Sequence, residues 1–332
     1  MMDQPITWGI LGTGDIARQM AEDLRLVPGA ELRAVASRTQ DRADAFADTH
    51  EIPVRYGDYE TLVRDAAIDV VYIATPHPRH CADTLLCLEH GKHVLCEKPL
   101  AMNAPQAARM VDAARKHGRF LMEALWTAFF PAIRQVREAL ASGAIGNVRL
   151  VVADFSYRAA AGPESRLFNL ELGGGALLDI GIYTVALADM VYGQEPERIQ
   201  ASWSPAETGV DESAAMILDF GGGRRALLST SLRHDAPQEA LIAGENGVIR
   251  IPHRFSQPDA WSLDTGGGPA TTTFERTGYG YHLEASEVTE CVRQGRFESP
   301  IVPHAMSLRI ARTLDRIRQQ WGLRYPADET DH

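Results

Sequence analysis

The hexapeptide Gly12-Thr13-Gly14-Asp15-Ile16-Ala17 constrains this chain more than any other feature. It fits G-x-G-x-x-A and sits directly between an apolar run, ITWGIL, and an amphipathic one. There Gly12 allows a tight turn, Gly14 lets the backbone approach a pyrophosphate, and small Ala17 lets helix and strand pack closely. The following helix offers free N–H groups and its positive end to a diphosphate. Gly12, Thr13, Gly14, Asp15 and Ile16 are therefore predicted to line a dinucleotide site. A purely structural glycine turn is the alternative, but the βαβ setting near the N-terminus favours the cofactor.

The chain around this turn alternates in the same way. Ile6–Leu11, Glu31–Ser37, Asp69–Thr75, His93–Cys96 and Phe120–Glu123 read as strands. Ile16–Leu26, Asp41–Thr49, Tyr59–Asp65, Arg79–His90 and Ala104–His117 carry helical spacing between them. Such alternation predicts a doubly wound α/β domain of the Rossmann kind with a parallel sheet, here over residues 1–124. Beyond about residue 146 the pattern changes to strands in direct succession: Val148–Tyr157, Ile199–Trp203, Ser213–Phe220, Arg224–Leu232, Glu239–Ala243, Val248–Ile251 and Thr271–Phe274. Two helices, His282–Gln294 and Ala305–Trp321, follow. Residues 125–332 are thus expected to form an α+β domain with a large, mainly antiparallel open sheet. The cleft between the two domains is the expected active site.

Composition narrows the function. With 332 residues and a formal charge of −11, the chain is a poor nucleic-acid or anionic-membrane binder. No run reads as a span of about 18 apolar residues, and MMDQPITWGILGTG lacks a cationic leader. Four cysteines are too few for a disulfide scaffold, and the chain reads as cytoplasmic. His80, Cys81, Cys87, His90, His93 and Cys96 are spread over helix, turn and strand, so no metal site is predicted. The acidic row Glu284, Glu287 and Glu290 has helical spacing and reads as a solvated face.

The second strand ends Ser37-Arg38-Thr39, and Arg38 lies 21 positions beyond Ala17. NAD-binding folds place a carboxylate near this position for the ribose 2′-hydroxyl. A guanidinium flanked by two hydroxyls instead suits a 2′-phosphate, so NADP is predicted ahead of NAD.

Three further residues carry chemistry. Cys96-Glu97-Lys98-Pro99 ends a buried strand, and the carboxyl ends of such strands face the ligand crevice, so Lys98 should face the cofactor. In GGGALLDIGIY a glycine loop runs into an apolar helix bearing Asp179 and Tyr183 at i and i+4. An acid and a phenol are costly to bury there without partners. Moving a hydride off an alcohol carbon needs a group that takes the hydroxyl proton. Tyrosine is a weak base near neutrality unless a cation such as Lys98 favours its phenolate. Asp179, which would oppose that shift, is better suited to orienting a substrate hydroxyl.

GTGDIA, SRT, IATPHPRH, GKHVLCEKPLA, MEALWTAFFP, GGGALLDIGIY and GLRYP together resemble the glucose–fructose oxidoreductase, inositol dehydrogenase and rhizopine-catabolism (Gfo/Idh/MocA) family over almost the whole chain. WTAFFP and the tyrosine of DIGIY look most like the branch holding dimeric dihydrodiol dehydrogenases and NADP-dependent D-xylose dehydrogenases. The resemblance implies Lys98 and Tyr183 as catalytic residues, Asp179 in the substrate site and Trp126 in the substrate wall. It also implies that Thr75, Pro76, His80, Glu97 and Lys98 surround the nicotinamide half of the cofactor. One departure is Ala128, where that branch commonly has arginine. Arg166 and Asn169, ahead of the glycine loop, are further candidates for polar substrate contacts.

The expectation is an NADP-dependent oxidoreductase acting on a cyclic sugar or vicinal diol and forming a homodimer through its C-terminal sheet. The rival readings are a catalytically silent NADP sensor and a reductase of anhydro-ketoses or other carbonyl compounds. A silent sensor has no need of both Lys98 and Tyr183.

Overall fold

The computed structural model describes residues 4–329. Its elements begin with β1 (Ile6–Leu11), α1 (Asp15–Leu24), β2 (Ala30–Ala36), α2 (Gln40–His50), β3 (Val54–Tyr56) and α3 (Tyr59–Arg64). Next come β4 (Val70–Ile73), α4 (His80–Glu89), β5 (His93–Glu97), α5 (Ala104–His117), β6 (Leu121–Ala124) and α6 (Pro131–Ala141). The chain continues through β7 (Val148–Ser156), α7 (Ile182–Tyr192), β8 (Arg198–Pro205), β9 (Asp211–Asp219), β10 (Arg225–Ser231) and β11 (Ala240–Gly244). It ends with β12 (Val248–Ile251), β13 (Ala260–Asp264), β14 (Ala270–Thr273), α8 (Tyr281–Arg293) and α9 (His304–Trp321). Contacts divide it into two units. The first holds residues through Trp126 together with Arg276–Ser307, and the second holds Thr127–Glu275 together with residues from Leu308 onward.

In the first unit six parallel strands run in the order β3-β2-β1-β4-β5-β6. The chain starts at the centre, works out to β3, then returns to the other side of β1. The strand order therefore reverses between β1 and β4, where open α/β sheets bind ligands beyond the strand carboxyl ends. All four residues of β4 are fully buried, as a strand covered on both faces requires. β3, only three residues long, left no periodic signal to read.

The segment that returns to this unit is held by one buried carboxylate. Asp23 of α1 accepts the N–H groups of Tyr279 at 3.0 Å, Gly280 at 2.8 Å and Tyr281 at 2.8 Å, which begin α8. An acid placed there satisfies N–H groups that the helix itself leaves unpaired. α8 packs on α1, β1 and β5.

The second unit is built on eight strands in the order β14-β13-β12-β11-β7-β10-β9-β8. All neighbours are antiparallel except β7 and β10. Gly221, Gly222 and Gly223 all have positive φ and turn β9 back into β10, as their sequence suggests. α7 packs on β7 and β10. By length and composition alone, the stretch Leu170–Tyr192 would suffice to cross a bilayer. It is 89% buried inside the protein, which makes it a core helix.

Candidate active site

The predicted residues fall into two groups, one in each unit. In the first, Gly12 has φ +107°, and a Cβ there would lie 2.6 Å from the Ala74 carbonyl oxygen. Only glycine lets the end of β1 approach the end of β4 so closely. At Gly14 a Cβ would meet nothing within 4 Å, which leaves open space over the N-terminus of α1. Asp15 and Ile16 open that helix, where backbone N–H groups lack partners within it. Thr13 Oγ1 and Ser37 Oγ lie 3.3 Å apart, linking this turn to the end of β2. Arg38 and Thr39 are exposed just beyond. A cleft of about 420 Å³ beside the turn is lined by Thr13, Gly14, Asp15, Arg18 and Arg42. Arg42 escaped the sequence reading, although a second cation at the start of α2 was visible there.

Past β4, Thr75 Oγ1 donates to buried Asp83 at 2.8 Å, and exposed Pro76 opens the turn His77–Arg79. His80 is fully buried, its ring nitrogens 2.9 Å from the Thr75 carbonyl and 2.8 Å from that of Pro99. Desolvation holds its pKa below the usual histidine value, so the neutral ring has one N–H to give to either carbonyl. His80 thus ties the end of β4 to the turn after β5. Glu97 accepts the Tyr72 hydroxyl on one oxygen and the Lys98 N–H, at 3.2 Å, on the other. These bonds pin the backbone from which Lys98 projects. Trp126 stacks on Tyr281, with ring centroids 4.7 Å apart and planes 25° from parallel.

Behind Glu97 the acidic-row expectation fails. Glu284 is fully buried, and neither carboxylate oxygen has a hydrogen-bond partner among the described residues. Successive i+3 steps drift about 60° around a helix, so the row is not one face. Glu284 shares the buried stripe with Tyr281, Ala285 and Val288, while Glu290 is exposed. Desolvation first, then the charge of Glu97, pushes the Glu284 carboxyl well above the usual range. Buried Glu123, which accepts the Leu100 N–H at 2.8 Å, is likewise pushed up to about 7, chiefly by desolvation.

The second group surrounds the helix that carries Asp179 and Tyr183. That helix opens on a π turn, Leu177–Gly181, before α7. Bonds there close on i+5, so the expected α-helical spacing of Asp179 and Tyr183 is loosened. Asp179 is buried and pairs at 2.9 Å with Arg166, whose side chain is 54% exposed. Tyr183 is buried, its ring 5.5 Å from that of Phe155. Tyr157 belongs to this group and was missed. Desolvation and then Asp179 push its hydroxyl up to about 12, against the pull of Arg166. Its place two residues past Phe155, just where β7 ends at Ser156, was the available signal. Asn169 uses its side-chain oxygen to accept the Leu172 N–H at 3.1 Å, which shapes the loop before the helix. Ala128 is fully buried. Among the described residues, no group of three or more His, Cys, Asp or Glu is placed to hold a metal.

Comparison with known proteins decides the family. The model described as "Oxidoreductase family, NAD-binding Rossmann fold" matches residues 6–125, and that for the GFO/IDH/MocA C-terminal domain matches residues 133–250. The trans-1,2-dihydrobenzene-1,2-diol dehydrogenase of Xenopus tropicalis is 40% identical over 96% of this chain and 99% of its own. That of Danio rerio is 41% identical over 97% and 99%. The chain belongs to the Gfo/Idh/MocA oxidoreductase family. Two solved structures share its fold closely. Aldose-aldose oxidoreductase from Caulobacter crescentus has a TM-score of 0.87 at 26% identity, over 96% of this chain and 98% of that one. A 3-ketoreductase from Actinomadura kijaniata, in complex with NADP and TDP-benzene, gives 0.84 at 28%, over 95% and 98%. As a Gfo/Idh/MocA member the protein is an NAD(P)-dependent oxidoreductase acting on CH–OH groups. The open space above Gly14, at the N-terminus of α1 and the strand-order reversal, fits a dinucleotide diphosphate.

Proposed function

We propose that the protein is an NADP-dependent dehydrogenase of a cyclic sugar or vicinal diol, with Tyr183 exchanging the substrate hydroxyl proton. The observation that carries this is the buried phenol of Tyr183 on the same helix as a buried carboxylate already paired to a cation. Arg166 offsets the charge of Asp179, so Asp179 opposes a Tyr183 phenolate less than an unpaired carboxylate would. Asp179 and Arg166 remain able to orient substrate hydroxyls, with Trp126 as an apolar wall for the ring. Lys98 supplies the cation that favours the phenolate. The nicotinamide, when bound, accepts or gives the hydride. Thr75, Pro76, His80 and Glu97 shape its surroundings, and Arg38 with Arg42 serves the 2′-phosphate.

The dihydrodiol dehydrogenases among its relatives support a diol, and the aldose and keto-sugar enzymes support a sugar. NADPH absorbance, followed with trans-1,2-dihydrobenzene-1,2-diol and a panel of aldoses, tests the reading directly. No turnover with any of them in either direction would overturn it.

The same proposal extends to a homodimer in a reducing, cytoplasmic setting. All four cysteines are buried and unbridged. Val152, Leu227 and Ile217 stand opposite one another on β7, β10 and β9, and are 37%, 39% and 41% exposed. An apolar row across three strands is a surface that a second copy can bury.

A further inference from the structure

Asp211, the first residue of β9, is fully buried and stands at the opening of the Asp179–Tyr183 helix. One of its carboxylate oxygens accepts the Leu177 N–H at 2.6 Å, and the Ala176 N–H also faces the carboxylate. These are among the first N–H groups of the helix, which have no partners within it. The glycine loop is shaped around this contact. Gly175 has φ +116°, and a Cβ there would collide with Asp211 Oδ1. The Gly175 N–H is held by the Leu167 carbonyl at 2.8 Å, and the Tyr325 hydroxyl donates to the Gly174 carbonyl at 2.7 Å. Loop and helix start are therefore clamped from several sides, and Asp211 is the clamp that touches the helix N–H groups.

We propose that Asp211 is a positioning residue. It fixes the first turn of the helix bearing Asp179 and Tyr183, and so the direction in which the Tyr183 hydroxyl points. The proposal rests on the reading of Tyr183 as the proton-exchanging group. Three features set Asp211 apart from an ordinary helix cap. It lies far along the chain from the helix it holds, in the next strand but one. The turn it holds is a π turn, whose hydrogen-bond register is less self-supporting than an α turn. The glycine beside it leaves the carboxylate the room that a side chain would take.

Desolvation pushes the Asp211 carboxyl up to about 7, while the helix N–H groups pull it back. The other titratable group facing it is Tyr325, with Arg318 and Asp328 beyond. Ionised, the carboxylate is the stronger acceptor at a positive helix end. Protonation as the pH falls through 7 weakens that hold.

The test combines hydrogen exchange with kinetics on the full chain, using NADP and trans-1,2-dihydrobenzene-1,2-diol. D211N should speed exchange of amides 176–183 at least about tenfold while β10 and β11 keep wild-type protection. It should lower kcat at least about tenfold, leave NADP affinity within about twofold, and lose any acid limb of the wild-type profile near pH 7. G175A, which displaces the same carboxylate, should reproduce both effects. In a Tyr183→Phe background D211N should cost little further rate, because both changes act through one hydroxyl. Should D211N fail to fold, wild-type exchange at pH 6 and 8, corrected for intrinsic rates, reads the same clamp: amides 176–183 should be looser at pH 6. Wild-type exchange and kcat in D211N would overturn the proposal, as would loosening spread evenly over the sheet. A Tyr183→Phe enzyme that keeps its rate overturns the reading beneath it instead, and the exchange data then judge the clamp alone.

Discussion

The two units solve the same problem differently. In the first, every residue of β4 is buried, because helices cover both faces of the parallel sheet. In the second, β9 and β10 alternate buried and exposed residues, so one face of the open sheet keeps an exposed apolar row. Both units bury acids in surroundings that favour the neutral form: Glu123 and Glu284 in the first, Asp211 in the second. Asp179 differs from these acids in being paired with a half-exposed arginine. Buried neutral acids make stability depend on pH. A paired carboxylate at an accessible edge is suited to handling a polar substrate.

The largest expected effect breaks that division of labour at its chemical end. Tyr183→Phe should reduce kcat by about 10²–10⁴ while NADP affinity, a property of the first unit, stays near wild type. Fluorescence titration of NADP beside steady-state kinetics separates the two. A variant retaining more than about a tenth of kcat, with chemistry limiting, would remove Tyr183 from the proposed role. Next in size is Arg38→Ala in the first unit. Loss of one charge-assisted contact, about 1.5–3 kcal/mol, should weaken NADP by roughly 10- to 150-fold and NAD hardly at all. Equal losses for both cofactors would mean that Arg38 does not read the 2′-phosphate.

The exposed sheet face gives the third effect. Leu227→Asp would set a charge in the middle of the Val152–Leu227–Ile217 row, twice over in a two-fold interface. Dimer dissociation should rise at least about tenfold by sedimentation velocity, with the first unit's NADP affinity untouched. Wild-type protein that sediments as a monomer at micromolar concentration would dispose of the interface altogether.

What the sequence made legible follows from how local each signal is. The glycine turn, the long strands and the paired runs around Gly221–Gly223 announce themselves within ten residues, and the structure has them. β13, Ala260–Asp264, was passed over because Trp261 and Leu263 supply only two apolar positions for a period-2 pattern. Three features of the sites are non-local and left no such trace. The π turn depends on the clamp at Asp211, the return of α8 to the first unit depends on Asp23, and the placing of Tyr157 beside Asp179 depends on sheet register. Glu284 misled for a different reason: three acids at i+3 look like one face until their drift around the helix is followed.

That drift leads to the smallest effect, a slope rather than a step. In the fold, burial keeps Glu284 protonated well above the pH at which an unfolded glutamate ionises, about 4.3. Above that pH the unfolded chain releases a proton that the folded chain retains. The contribution of Glu284 to stability is therefore fully present below the unfolded pKa and is lost as pH rises toward the folded one. The loss accrues at no more than about 1.4 kcal/mol per pH unit. Glu284→Gln removes the titration but leaves a buried amide whose donors lack partners, an offset of about 1–3 kcal/mol that does not change with pH. The difference in unfolding free energy between variant and wild type should thus move in the variant's favour between pH 5 and pH 8, whatever its sign at pH 5. Denaturant unfolding at several pH values measures it. A difference that stays flat would mean that Glu284 is ionised inside the first unit, and the contrast between its buried neutral acids and the paired carboxylate of the second would lose its clearest member.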